Sequence, residues 1–107
     1  MQHLTAPELA IWLENTERVT PILLDVREEW EFQTCKIDGS LMIPMNTIPS
    51  KLSELDVEQT IVCICHHGVR SMQVALFLEQ NGFDKVSNLT GGVHAWALNV
   101  DNTMPTY

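Results

Sequence analysis

The chain has 107 residues, 45% of them hydrophobic and 19% charged, the size and balance of one small folded domain. Fourteen acidic residues against six lysines and arginines leave a formal net charge of −8, which argues against non-specific binding to nucleic acid or to an anionic membrane. Three cysteines are an odd, low count that excludes a disulfide framework, and no apolar run approaches the ~20 residues that span a bilayer.

Residues 1–19 lack a basic start and an unbroken apolar stretch, so no secretory signal is expected and the cytoplasm is the expected location. Thr5 and Glu8 stand at capping-box spacing with Pro7 in the first turn, and Leu9, Ile11, Trp12 and Leu13 give the helix that follows an apolar side. Thr20 to Val26 reads as a buried strand, and "EEWEFQ" after it as one or two helical turns. Gly39 to Pro44 is a second short strand stopped by proline, and "IPSKLSEL" a short helix with Ser50 as its cap. Gln59 to Cys65 is uncharged and apolar on both faces, the pattern of a central strand covered by helices.

From Arg70 the period changes to that of a helix, with Ser71, Val74, Ala75 and Leu78 on one side and Gly82 at its end. "KVSNL" is another strand, "TGG" a turn and "VHAWAL" a last helix, followed by an irregular tail over residues 99–107. Strands alternating with helices predict a parallel α/β fold in a single domain over residues 1–107, with a monomer as the default state.

The chemistry concentrates in "CICHHGVRS", Cys63 to Ser71. Cys65 ends the central strand and Arg70 opens the next helix, so the four residues His66, His67, Gly68 and Val69 must curl between them. In an open parallel sheet this is where ligands bind, at strand carboxyl ends beside helix N-termini whose N–H groups lack internal partners. A loop wrapped around Cys65 turns its N–H groups inward as an anion cradle, and Gly68 supplies the backbone freedom for the curl. Cys65 is therefore expected to react as a thiolate nucleophile, with Arg70 adding a planar, permanently charged donor set.

Cys63 lies two residues earlier and is expected to face the same side of the strand as a packed core residue. Cys35, in a loop, is given no role. Asp25 and Arg27 end their strand on the same sheet edge as Cys65; Asp25 is expected to accept loop N–H bonds and Arg27 to pair with Glu28, Glu29 or Glu31. Trp12, Trp30 and Trp96 are expected in the core, Trp30 near the site entrance, and His94 exposed. A metal centre from Cys63, Cys65, His66 and His67 is not expected, because adjacent histidines on an extended chain do not both reach one ion and His3 and His94 carry no motif.

"CHHGVRS" resembles the active-site loop of the rhodanese-like domains: cysteine, two variable residues, glycine, one variable residue, arginine. "LLDVREEWEF", "KIDGSLMIP" and "NLTGGVHAW" resemble further segments of that family, in order, from about residue 3 to residue 98. The resemblance implies an open parallel sheet of about five strands flanked by helices on both faces. It also implies a sulfurtransferase: Cys65 takes sulfane sulfur from thiosulfate or another persulfide donor and passes it, as a persulfide, to a thiophilic acceptor. That acceptor is cyanide in an assay and a thiol or partner protein in a cell, with no cofactor. The residues His66 to Arg70 then form the persulfide-binding loop.

Two histidines stand where thiosulfate-favouring relatives carry a stronger basic pair, Cys35 and Lys36 replace glycine and histidine, and "VDNTMPTY" resembles the tail of rhodanese domains fused to adenylating enzymes. The related cysteine phosphatases place five residues between cysteine and arginine; this chain has four, a tighter ring suited to a single sulfur atom. The alternative is a non-catalytic or sulfur-delivery module whose acidic surface docks a basic partner.

Overall fold

Ile61–Ile64 has no exposed residue, and a strand buried on both faces belongs in the middle of a covered sheet. The computed structural model, which describes residues 1–107, places it there. The elements run β1 (Gln2–Leu4), α1 (Ala6–Glu14), β2 (Ile22–Asp25), α2 (Glu29–Thr34), β3 (Leu41–Met42), α3 (Ile48–Lys51), β4 (Ile61–Ile64), α4 (Val69–Gln80), β5 (Val86–Leu89) and α5 (Gly92–Asn99). The five strands are parallel, in the order β1-β5-β4-β2-β3, with β4 hydrogen-bonded to β5 on one side and β2 on the other.

The alternation of side chains along β4 divides the core in two. Val62 and Ile64 pack with Leu9 and Trp12 of α1 and with Val93 and Trp96 of α5. Ile61, Cys63 and Cys65 face the other side and pack with Ile48 of α3 and Val74, Ala75 and Leu78 of α4. Helices thus cover both faces, as parallel connections require, and Cys63 and Cys65 share one face as their spacing predicts.

The capping box forms: Thr5 Oγ1 accepts from the Glu8 N–H at 3.3 Å, and Glu8 Oε1 from the Thr5 N–H at 2.9 Å. β1 is absent from the sequence expectation because it has three residues, two of them polar; its order comes from pairing with β5. β3 keeps only two of the six predicted residues. Ser50 lies inside α3 and donates to the Thr47 carbonyl instead of capping. The tail leaves α5 after Asn99 and returns to the domain, so that Met104 and Tyr107 are half-buried against the α1–α5 side of the core.

Candidate active site

β4 ends at Ile64 and α4 begins at Val69, so the loop occupies residues 65–68, at the carboxyl edge of the sheet. Cys65 is only 1% exposed. Its Sγ accepts the Gly68 N–H at 3.1 Å and lies 3.3 Å from the Ser71 hydroxyl, in the first turn of α4. Gly68 adopts φ +104°, the left-handed conformation that turns the chain into α4. Its N–H is the loop group that bonds the sulfur. Asn88 of β5 braces the assembly from below: its Nδ2 donates to the Gly68 carbonyl at 3.1 Å, and its Oδ1 receives the Ser71 hydroxyl. Ser71 has one proton for two acceptors, Asn88 Oδ1 and Cys65 Sγ, and so serves one of them at a time.

The helix after β5 locks the loop from the side. The Val93 N–H donates to the Cys65 carbonyl at 2.9 Å and the His94 N–H to the His66 carbonyl at 3.1 Å. These are first-turn N–H groups of α5 that have no partner within the helix. The approach is close enough that a Cβ on Gly92 would lie 2.3 Å from the Cys65 oxygen and 2.4 Å from the His66 oxygen. The glycine pair in "TGG" is thereby explained as a docking surface for the loop as well as a turn.

Arg70 and the acid–base groups around it differ from expectation. Glu31 accepts both guanidinium Nη atoms of Arg70 at 2.8 Å, a bidentate pair. Asp25 accepts no loop N–H. Its carboxylate takes the Arg27 backbone N–H at 3.1 Å, Nε at 2.9 Å and Nη2 at 2.7 Å. Asp25 and Arg27 are both fully buried, and a buried charge is tolerated when its partner and hydrogen bonds are complete. The remaining Arg27 donors reach the Glu31 carbonyl, the Cys35 carbonyl and Tyr107 Oη, so all five N–H groups are used. Arg27 pairs with Asp25 and not with Glu28, Glu29 or Glu31, since Glu31 is held by Arg70. The pair is no surface ion pair but a buried post beneath α2.

Tyr107 ties these groups to the loop. Its hydroxyl accepts from Arg27 Nη1 at 2.9 Å and donates to Glu31 Oε2 at 2.7 Å, and its ring stacks on His66 at 3.8 Å between centroids. Burial comes first in pushing its hydroxyl up to about 12. Trp30 is not a core residue: it is 62% exposed and meets Tyr107 edge-on at 5.7 Å, beside the site. Trp12 and Trp96 are buried as expected. Val69 is exposed and opens α4. His94 is half-buried, and gathers with His66 and His67 at ring separations of 6.0 and 4.9 Å. Burial and then the neighbouring His67 push the His66 imidazole down, so it is chiefly neutral at pH 7. Burial likewise raises the Cys63 thiol to about 12, which leaves it an inert packing residue.

Glu31 carries a testable consequence. Its bonds from Arg70 lead in holding its carboxyl down to about 2, from an ordinary value of 4.5. Since the folded value is the lower one, the stabilisation is complete above 4.5 and is lost as pH falls toward about 2. Arg70 is 36% exposed and the pair is screened accordingly, so its contribution is on the order of 2 kcal/mol. In urea unfolding, Glu31→Gln is expected to be less stable than the unmodified protein at neutral pH, with the difference closing through that acid range. A difference independent of pH would assign the loss to packing instead.

Glu31, Tyr107, Ser71 and Asn88 are the site residues that sequence reasoning missed. Glu31 had a signal, being one of three glutamates in the segment after Arg27; Ser71 appeared only as a helix-face residue.

The family model for the rhodanese-like domain matches residues 5–99. A sulfurtransferase of Allochromatium vinosum is 39% identical over 85 residues, covering 79% of this chain and 78% of its own length. The chain spans only 30% of the length of a second relative, the chloroplastic rhodanese-like/PpiC domain-containing protein 12 of Arabidopsis thaliana, to which it is 39% identical over 89 residues, 79% of this chain. The crystal structure of a rhodanese-like domain protein from Staphylococcus aureus superposes with a TM-score of 0.83 at 34% identity, covering 100% of this chain and 99% of that one. The chain belongs to the rhodanese-like domain family, which has sulfurtransferases among its members.

Proposed function

We propose that this protein is a sulfurtransferase that carries sulfane sulfur as a persulfide on Cys65 and draws it from organic persulfides ahead of thiosulfate. The observation that carries the reading is the seat of the Cys65 sulfur, held by the Gly68 N–H and facing the Ser71 hydroxyl at the start of α4. In the first step the Cys65 thiolate attacks the outer sulfur of R–S–SH, the S–S bond to R breaks, and R–S⁻ leaves. In the second a thiolate or cyanide attacks the outer sulfur on Cys65, and the Cys65 thiolate is the leaving group. Donors pre-aimed at the sulfur favour this chemistry because they stabilise negative charge without reorganising. The transfer needs no redox partner, since one S–S bond is exchanged for another.

Two observations support the donor preference. The net charge of −8 opposes a dianion, and Glu31 already occupies both Nη atoms of Arg70. A small organic persulfide, with less charge to hold, is less affected by each of them. A reducing compartment such as the cytoplasm suits the three free thiols. The in-cell acceptor in this reading is a thiol, free or on a partner protein.

The test compares kcat/KM for a small organic persulfide and for thiosulfate, with cyanide as the common acceptor. The persulfide is expected to be the better donor by about tenfold or more. Equal or better use of thiosulfate would overturn the donor preference, and no turnover with either would overturn the enzymatic reading in favour of a delivery module.

A further inference from the structure

We propose that His66, His67 and His94 form a transition-metal site at the active-site loop, taking a borderline cation of the zinc class. The inference rests on geometry alone and not on the sulfur chemistry. One ligand nitrogen from each of the three imidazoles can be chosen so that all lie within 4.8 Å of one another. Nitrogens bound to one zinc at ~2.0–2.1 Å in tetrahedral geometry stand roughly 3.3 Å apart, so the rings must draw in by about 1.5 Å at most. That is within reach of side-chain rotation.

One feature beyond the spacing points to a ligand at this place. His66 Nε2 and His94 Nδ1 are buried and have no hydrogen-bond partner, which is costly for polar atoms unless something occupies them. The rings are also gathered at one place. Tyr107 stacks on His66 at 3.8 Å with the planes 10° apart, and His66 and His67 lie 3.9 Å apart at 33°. Neighbouring histidines fail to share an ion when the chain is extended. Here the curl of the loop brings their rings within 3.9 Å of each other in a tilted arrangement, and the Gly92 docking of α5 delivers His94 from 27 residues downstream of His67. The three come from one loop and one helix whose backbones are bonded to each other through the His94 N–H and the His66 carbonyl.

An all-nitrogen set of three suits zinc and, among first-row ions, copper and cobalt better than calcium or magnesium. Three protein ligands leave at least one coordination position open, the pattern of reactive zinc sites and not of structural ones. His67 is exposed, so the site has a route to solvent.

The experiment is calorimetric titration of the purified full chain with Zn²⁺, paralleled by Co²⁺ absorption, for the unmodified protein and for His94→Ala, His67→Ala and Cys65→Ser. The expected result is one ion per chain, with affinity falling at least about 100-fold in each histidine variant and unchanged in Cys65→Ser, and no cobalt–thiolate charge-transfer band. His67 is exposed, so its alanine variant carries the test if His94→Ala does not fold. The absence of saturable 1:1 binding, its survival in a folded histidine variant, or its loss in Cys65→Ser would each overturn the proposal.

Discussion

Cys65→Ser is expected to lower sulfur transfer by at least about a thousandfold with any donor, while the unfolding midpoint moves little. The reasoning is chemical. A serine hydroxyl in the same seat keeps a contact with the Gly68 N–H and Ser71, and it is smaller than the thiol it replaces. It has no sulfur to form an S–S bond, so no persulfide can be carried. The other two cysteines offer no detour. Cys63 is fully buried with its thiol raised to about 12, and Cys35 lies on the opposite side of the sheet, in the cluster with Val62 and Ile64. Retention of more than a small fraction of activity would show that another thiol carries the sulfur.

Gly92→Ala is expected to be the most damaging glycine substitution at the site, costing about 2–4 kcal/mol and most of the activity together. Gly92 sits at φ +59°, a strained conformation for alanine. The new Cβ would also stand 2.3 to 2.5 Å from three backbone atoms of Cys65 and His66. Backbone atoms cannot rotate aside, so α5 must retreat from the loop and the bonds from Val93 and His94 to the Cys65 and His66 carbonyls must lengthen. Because the same movement displaces the loop, stability and turnover should fall in step. A variant that loses stability but keeps the turnover of its folded fraction would show that α5 supports the fold without positioning the loop.

The strand, loop and helix start around Cys65 were legible because they are contiguous. Strand, curl and helix start occupy Cys65 to Ser71, and each residue type there has a local reason to be present. What surrounds them was not legible, because it is assembled over long separations. Arg70 meets Glu31 across 39 residues and Tyr107 meets Glu31 across 76. Composition cannot choose among Glu28, Glu29 and Glu31. The choice falls to the turn of α2 that buries Glu31 and leaves the other two exposed. Asp25 and Arg27 were placed at the right sheet edge, yet their partners were wrong, because two adjacent buried charges satisfy each other before reaching outward. Trp30 and His94 were misjudged for a related reason. Exposure depends on what the tail and α5 pack against, and neither can be read from the residue or its neighbours in sequence. β1 escaped because a three-residue strand with two polar members has no pattern of its own.

The central claim is that Cys65 is the sulfur carrier, and intact mass measurement after incubation with a sulfane donor tests it most directly. One added sulfur of about 32 Da should appear, map to the peptide containing Cys65, and disappear on treatment with cyanide. An adduct on Cys35 or Cys63, or an unchanged mass with every sulfane donor, would contradict the account.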